Sequence, residues 1–180
     1  MKNNYLKLYF KKINFSIEAI NENNFLKCIN LIKKLKKKNK IIFVGNGGSA
    51  SIANHCATDF NKFLKKRSMT FNESNLITCY ANDYGHKNWM KEALKSFADK
   101  GDLIFLISSS GQSENILNCA NQARKMGLKL ITLSGFDNSN PLKKKGHINF
   151  WVNCRNYNIV EMTHHIWILS FCDYILKSKF

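Results

Sequence analysis

Hydrophobic residues along the chain fall into short, largely apolar runs separated by longer stretches with helical spacing. Short apolar runs are typical of strands that are buried on both faces of a parallel sheet. Five of them predict strands, at residues 41–44, 75–80, 103–107, 128–133 and 147–152. Strands that alternate with helices predict parallel βαβ units with right-handed crossovers. We therefore expect an α/β fold with about five strands.

The first 39 residues differ, because their pattern is helical throughout. Apolar residues recur three or four apart in two groups: Ile13, Ile17 and Ile20, then Phe25, Cys28, Ile29, Ile32 and Leu35. The polar residues 21–24 interrupt them, which predicts two helices with a short break. We interpret the first helix as a subunit-packing or partner-binding helix. The chain is thus expected to consist of a helical segment, 1–39, and residues 40–180, within one domain overall.

The composition narrows the class of protein. The 180 residues carry 28 Lys and Arg against 12 Asp and Glu, a formal net charge of +16. No nucleic-acid-binding motif accompanies this charge, so a nucleic-acid partner is not expected, although the positive field would attract a phosphorylated substrate. No apolar run approaches the ~18 residues that span a bilayer, and no signal-peptide pattern is present, so we expect a cytoplasmic protein without a membrane partner. The six cysteines form no CxxC pair and are expected to be free thiols.

Residues 108–113, with the sequence SSSGQS, follow the third predicted strand and precede a predicted helix, 114–126. A strand, a small-residue turn and a helix start together present backbone N–H groups, hydroxyl donors and the positive end of a helix dipole to an anion. We interpret this turn as a phosphate cradle for a phosphorylated small molecule. The alternative is a serine-rich loop that only caps the next helix.

A second strand–turn–helix unit has the turn sequence GNGGS at residues 45–49. Its glycines permit a close approach of ligand to backbone, although such a turn also serves as a plain connector. The turn lacks the lysine of a P-loop and the GxGxxG spacing of a dinucleotide-binding loop, so no nucleotide cofactor is expected. Because ligands bind beyond the carboxyl ends of parallel strands, one site can use both turns.

Two predicted helices carry a carboxylate and a histidine four residues apart. One pair is His55 and Asp59, and the other is Glu161 and His165, with His164 adjacent. Such pairs suit a metal site or an acid–base pair, and they also occur as ordinary surface pairs.

A further candidate is Asp83, in a predicted turn at residues 82–85 after the second predicted strand. Loops after strands often carry functional carboxylates, and Asp is also an ordinary turn residue. Both interpretations of Asp83 remain open from the residues alone.

Four segments, taken in order, carry a resemblance to a known family: residues 45–49, 82–85, 108–113 and 132–135. They resemble the sugar isomerase (SIS) domain, most of all its phosphoheptose isomerase branch, which converts sedoheptulose 7-phosphate into a heptose 7-phosphate for surface polysaccharide precursors. The resemblance covers residues 40–180. It implies a three-layer, flavodoxin-like α/β sandwich around a five-stranded parallel sheet, and a homotetramer with sites at subunit interfaces.

The resemblance also implies roles for individual residues. Substrate binding would fall to Asn46, Gly47, Ser49, Asp83, Ser108, Ser109, Ser110, Ser113 and Glu161, with the cradle serines holding the phosphate. Asp59 would act as the base, and His164 or His165 would polarise the carbonyl. Zinc occurs in some members, and the matching ligands here would be His55, Asp59, Glu161 and His165.

Two departures from the family pattern concern proton transfer. Asp59 stands where the family has the longer Glu, and Leu169 aligns with the family's second catalytic histidine. His165, one helical turn earlier, is the only candidate substitute. We therefore expect an intact phosphate site beside altered catalytic groups.

Three hypotheses follow from the sequence. The first is an aldose–ketose isomerase of a seven-carbon sugar phosphate that works through an enediol. The second is a non-catalytic SIS module that binds a sugar phosphate or a protein partner. The third is an isomerase of a different phosphosugar.

Overall fold

A parallel sheet forms the centre of the computed structural model, which describes residues 2–177. Its strands are β1 (Ile41–Gly45), β2 (Ser68–Thr70), β3 (Leu103–Ser108), β4 (Lys129–Ser134) and β5 (Ile148–Trp151). Their order across the sheet is β2-β1-β3-β4-β5. The chain steps outward from β1 to β2 and then crosses back to β3, so the direction of winding reverses between β1 and β3. Ligands of such sheets bind at this switch point.

Helices cover both faces of the sheet. They are α1 (Lys2–Glu18), α2 (Glu22–Lys34), α3 (Gly48–Lys62), α4 (Ser74–Tyr84), α5 (Trp89–Phe97), α6 (Glu114–Lys125) and α7 (Tyr157–Leu176). One core lies between the sheet and the layer formed by α2, α3 and α7, and the other lies under α4, α5 and α6. The expected three-layer α/β sandwich with five parallel strands is confirmed.

Strand β1 illustrates why the central strands read as continuous apolar runs. Ile41 and Phe43 belong to the core under α2, α3 and α7, whereas Ile42 and Val44 belong to the opposite core. Successive side chains of a strand point to opposite faces, so a strand covered on both faces needs apolar residues at every position. All four of these side chains are buried.

The strand predicted at residues 75–80 is wrong. These residues lie in α4, and the second strand is instead Ser68–Thr70. The β-branched and aromatic content of the segment favoured a strand, but Leu76, Ile77 and Tyr80 pack at helical spacing against the core under α5 and α6. The true strand escaped notice because it is short, half-buried and at the edge of the sheet.

The two helices predicted within residues 1–39 are present. Asn21 begins the second one, since its side-chain oxygen accepts a hydrogen bond from the Asn24 N–H at 2.9 Å. Helix α2 is part of the core through Cys28, Ile29 and Ile32. No helix within residues 2–177 is both long and apolar enough to cross a bilayer.

Helix α1 packs against α7, where the Trp167 indole N–H donates to the Ile17 carbonyl at 2.8 Å. Large apolar side chains along it are 56–66% exposed: Tyr5, Leu6, Leu8, Phe10 and Phe15. So many exposed apolar side chains on one helix are typical of an interaction surface.

A buried ion pair fixes the amino ends of β1 and β3. Asp102 is fully buried, and its carboxylate accepts hydrogen bonds from the backbone N–H groups of Lys40 and Asp99 at 3.0 and 2.9 Å. The Lys40 ammonium lies 2.8 Å from the same carboxylate. Burial by itself raises the pKa of Asp102, but hydrogen bonds from the Asp99 N–H, from Lys40 and from Asn39 outweigh it and hold that pKa below its usual value.

We expect Asp102→Asn to lower the free energy of unfolding by about 2 kcal/mol at neutral pH, because it removes a charge that Lys40 and two backbone donors need. Since folding lowers the pKa of Asp102, its stabilisation is present above the usual aspartate pKa and is lost as the pH falls through the lowered value. Urea unfolding of both proteins across this range measures the effect, with Asp173→Asn on the exposed side of α7 as control. A difference between wild type and variant that persisted unchanged into acid would contradict this account.

Candidate active site

A small cavity of about 90 Å³ opens at the switch point, between the turns that follow β1 and β3. Its walls are formed by Asn46, Ser49, Ile107, Ser108, Ser109, Ser110, Ser113, Tyr157 and Glu161. The two turns that the sequence singled out therefore share one site. This follows from topology, since the carboxyl ends of neighbouring parallel strands lie side by side.

Internal hydrogen bonds hold the turn after β3 in a fixed shape. The Ser108 hydroxyl accepts from the Gly111 N–H at 3.2 Å and lies 3.3 Å from the Ser113 hydroxyl. The Ser110 hydroxyl accepts from the Gln112 N–H at 3.2 Å. Gly111 has a φ of +64°, which glycine adopts without strain. The serine hydroxyls are thereby gathered at the amino end of α6.

The serines of this turn do not serve as a helix cap. Ser113 occupies the N-cap position of α6, yet its side chain forms no capping hydrogen bond. The Ser109 hydroxyl is buried and has no hydrogen-bond partner within the described chain. An anion bound at the amino end of α6 would satisfy such donors. The geometry therefore favours the phosphate cradle over the capping alternative.

A pair of side-chain amides joins the turn after β1 to α6. Asn46 donates to Asn115 at 2.9 Å and Asn115 donates back at 3.0 Å. Asn115 is buried, and the sequence analysis missed it because a lone Asn in a first helical turn has no distinguishing pattern. Gly47 adopts φ 52° and ψ −124°, so the turn needs glycine there.

Helix α7 supplies the third wall of the cavity. Glu161 lies against Gly48, the first residue of α3, so closely that a Cβ at position 48 would collide with its carboxylate. A carboxylate at the amino end of a helix is favourable, while partial burial raises the pKa of Glu161. Tyr157, which the sequence analysis also missed, lines the cavity one turn earlier and packs edge-on against Phe136 at 4.7 Å between ring centroids.

Three predicted site residues form a row between α3 and α7. His165 Nε2 lies 2.9 Å from His55 Nδ1, and His55 Nε2 lies 3.3 Å from the Asp59 carboxylate. We call this the histidine–aspartate row. Burial and then the neighbouring His55 lower the pKa of His165. Side-chain exposure of 49% for His55 and 23% for Asp59 leaves the row open to a ligand.

The four predicted zinc ligands do not converge in this structure. Ring nitrogens of His55 and His165 face each other. The Glu161 carboxylate, on α7, lies against Gly48 at the start of α3 and not beside the row. Among residues 2–177, no group of three or more His, Cys, Asp or Glu side chains has an arrangement that could hold a metal ion. The residues present thus do not form a preformed zinc site.

Known proteins resemble this chain in both sequence and structure. The sequence profile described as "SIS domain" matches residues 8–135, which is more than half of the chain. The chain belongs to the SIS domain family. A phosphoheptose isomerase of Helicobacter hepaticus is 34% identical to this SIS-domain protein over 155 residues, which are 83% of this chain and 78% of that one. One from Cytophaga hutchinsonii is 33% identical over 130 residues, which are 69% and 68% of the two chains.

Solved structures show the same fold. Phosphoheptose isomerase GmhA from Neisseria gonorrhoeae superposes on this SIS domain with a TM-score of 0.87 at 23% identity, covering 98% of this chain and 100% of that one. A phosphoheptose isomerase from Francisella tularensis gives a TM-score of 0.85 at 20% identity, covering 99% and 100%. With the curated relatives, the predicted resemblance to the phosphoheptose isomerase branch of the family is confirmed.

Within this SIS domain, His164 is remote from the cavity. It is fully buried, and its Nε2 bonds to the Ser134 carbonyl at 3.1 Å. Burial lowers the pKa of His164 to about 4, so the ring is neutral at physiological pH. Leu169, which replaces a family histidine, packs partly buried against the core. The catalytic role of His164 stays a prediction that its position does not favour, which leaves His165 as the accessible histidine of α7.

Asp83 lies in α4 and not in a turn, so the turn predicted at residues 82–85 is wrong. The helix continues to Tyr84 and ends at Gly85, whose φ is 74°. The Asp83 carboxylate is exposed and accepts a hydrogen bond from the Asn82 side chain at 3.0 Å. Asp83 does not line the cavity, and its contact with sugar hydroxyls stays a prediction.

We expect Ser113→Ala to weaken binding of a sugar phosphate about 10-fold, because it removes one hydroxyl donor from a charged acceptor. Titration calorimetry with sedoheptulose 7-phosphate measures this affinity. Ser96→Ala, on the exposed side of α5, is the matched control and should bind as the wild type does. Unchanged affinity in Ser113→Ala would show that the phosphate binds elsewhere.

Proposed function

We propose that this SIS-domain protein is an aldose–ketose isomerase that interconverts sedoheptulose 7-phosphate and an aldoheptose 7-phosphate, for surface polysaccharide precursors. The observation that carries the proposal is the cavity in which the serine cradle and the glycine turn meet. Relatives that are 33–34% identical are named phosphoheptose isomerases, which supports the seven-carbon substrate. Because the substrate is a phosphorylated metabolite, we also propose a cytoplasmic location.

The proposed binding mode starts from the phosphate. The cradle serines and the amino end of α6 hold it, and Asn46 and Glu161 face the sugar from the other walls. Helix α3 leads away from this point, and His55 lies seven residues beyond Gly48, a rise of about 10 Å. An extended seven-carbon chain anchored at its phosphate can thus direct its far end, C1 and C2, toward the histidine–aspartate row.

The proposed chemistry is a proton transfer between C1 and C2. The Asp59 carboxylate takes a proton from C1 of the ketose, and a ring N–H of neutral His165 gives its proton to the carbonyl oxygen at C2, which yields an enediol and leaves His165 ready to take the O1 proton. Return of a proton to C2 and loss of the O1 proton produce the aldose. His55 lies between the two groups and orients both, at 3.3 Å from Asp59 and 2.9 Å from His165.

Asp59→Asn is expected to lower kcat by about 100-fold or more, because it removes the base. An NMR time course with sedoheptulose 7-phosphate measures the conversion, and Asp173→Asn serves as the charge-matched control. Wild-type turnover in Asp59→Asn would exclude Asp59 as the base. A panel of other phosphosugars in the same assay distinguishes the seven-carbon substrate from a different one.

A role for zinc is suggested only by the resemblance to the family, some members of which contain it. The donor types of the histidine–aspartate row are ones that zinc accepts, but the hydrogen bond between His165 and His55 would have to break before they could converge on an ion. The same NMR assay with added zinc and with a chelator measures whether turnover depends on it.

A second candidate function is a sugar-phosphate-binding module without catalysis. Leu169 in place of a histidine, and the short side chain of Asp59, favour it. The Vibrio vulnificus NanR protein complexed with ManNAc-6P has this fold, with a TM-score of 0.73 at 15% identity, covering 98% of this chain and 64% of that one. Saturable binding of sedoheptulose 7-phosphate without conversion would select this candidate.

We further propose a homotetramer whose sites lie near subunit interfaces, with exposed apolar side chains of α1, Leu6 and Phe10 among them, in the contact. The double change Leu6→Glu and Phe10→Glu should then dissociate the protein, because it buries charges in an apolar contact. Light scattering coupled to size exclusion measures this as a fall from four times the 20.8 kDa chain mass. Lys37→Glu with Lys144→Glu, two charge changes at exposed positions outside α1, is the control. A monomeric wild type would contradict the tetramer.

A further inference from the structure

A second cavity lies at the amino ends of the strands, on the side of the sheet opposite the proposed active site. It has a volume of about 450 Å³ and lies where α2 ends and where β3 and β4 begin. From Leu103, in its wall, β3 runs about 17 Å to Ser108 in the cradle. We call it the amino-edge cavity. Its size is that of an ordinary small-molecule site.

The wall of this cavity is strongly positive. Five lysines line it: Lys34, Lys36, Lys38, Lys100 and Lys129. Within the described chain, none of their ammonium groups forms an ion pair or a hydrogen bond, and no Asp or Glu lines the cavity. The acidic residues nearby in sequence, Asp99 and Asp102, are both engaged by Lys40, at 2.6 and 2.8 Å. Five unneutralised charges around one concavity repel each other, and they focus a field that attracts anions.

The backbone around the cavity is held in place. The Arg67 guanidinium donates to the Lys38 carbonyl at 2.7 Å, and the Asn39 side chain donates to the Lys100 carbonyl at 3.0 Å. Carbonyls at the end of α2 would repel an anion, but the Lys66 ammonium bonds to those of Lys33 and Leu35, at 3.3 and 3.2 Å. The loop that carries Lys36 and Lys38, and the turn that carries Lys100, are thus held in place.

The floor of the cavity is apolar, formed by Leu31, Leu35 and Leu103. Ammonium groups above such a floor suit a ligand that has several negative charges and a flat body able to cover aliphatic side chains. A single sugar phosphate offers one phosphate and no such body. We propose that the amino-edge cavity binds a small molecule with a polyphosphate group, of the class of nucleoside diphosphates and triphosphates. This second site is independent of the proposed isomerase activity.

Titration calorimetry of the full chain with ATP at about 0.1 M salt tests the proposal. We expect saturable binding that Lys38→Gln with Lys129→Gln weakens about 20-fold, because two charge-assisted contacts are lost. Lys37→Gln with Lys144→Gln removes the same charge from exposed positions outside the cavity and should retain the affinity of the wild type. Circular dichroism of each variant verifies that it is folded.

Inorganic tripolyphosphate in the same titration distinguishes two sources of the ligand. Tighter binding of ATP assigns the site to nucleotides, whereas equal binding assigns it to inorganic polyphosphate, and both support a polyphosphate site. Ser113→Ala, in the cradle, should bind ATP as the wild type does. The proposal is overturned by absence of saturable binding, by equal loss in the control pair, by loss in Ser113→Ala, or by a short single-stranded RNA that binds tighter than ATP.

Discussion

The reversal of winding between β1 and β3 is the constraint on which the rest of this structure depends. It brings the carboxyl ends of two adjacent strands together without a helix between them, so the turns at residues 45–49 and 108–113 face one another. The mutual amide pair of Asn46 and Asn115 fixes that approach. Two helix amino ends, those of α3 and α6, consequently border one small cavity, which is an arrangement suited to an anion.

The proposed site combines a serine-lined half suited to an anion with a second half, the histidine–aspartate row, to which we assign proton transfer. Gly47 and Gly111 have positive φ angles that favour glycine, and Gly48 leaves room for the Glu161 carboxylate, so the two turns depend on their glycines. The histidine–aspartate row depends on only one pair of helices, α3 and α7. Side chains there can change without disturbing the sheet, so the differences at Asp59 and Leu169 that the resemblance implies are compatible with an intact SIS fold.

The two edges of the sheet carry different kinds of positive potential. At the carboxyl edge the donors are backbone N–H groups and hydroxyls, which are small, rigid and suited to one phosphate. At the amino edge the charge comes from long lysine side chains around an apolar floor. These five lysines concentrate part of the net charge of +16 at one end of the sheet. The ion pair of Lys40 and Asp102 lies beside them and joins the start of β1 to the start of β3.

Much of this architecture follows from local sequence. Continuous apolar runs determined four of the strands, since a strand buried on both faces has no polar positions, and the small residues of two turns identified the cradle. Tertiary packing decided what local pattern could not. Residues 75–80 became α4 because the helix, not the strand, covers the core under α5 and α6. Packing also placed Tyr157 in the cavity wall, paired Asn115 with Asn46 and buried His164, because burial and contacts between distant segments depend on how the helices pack and not on their own sequences.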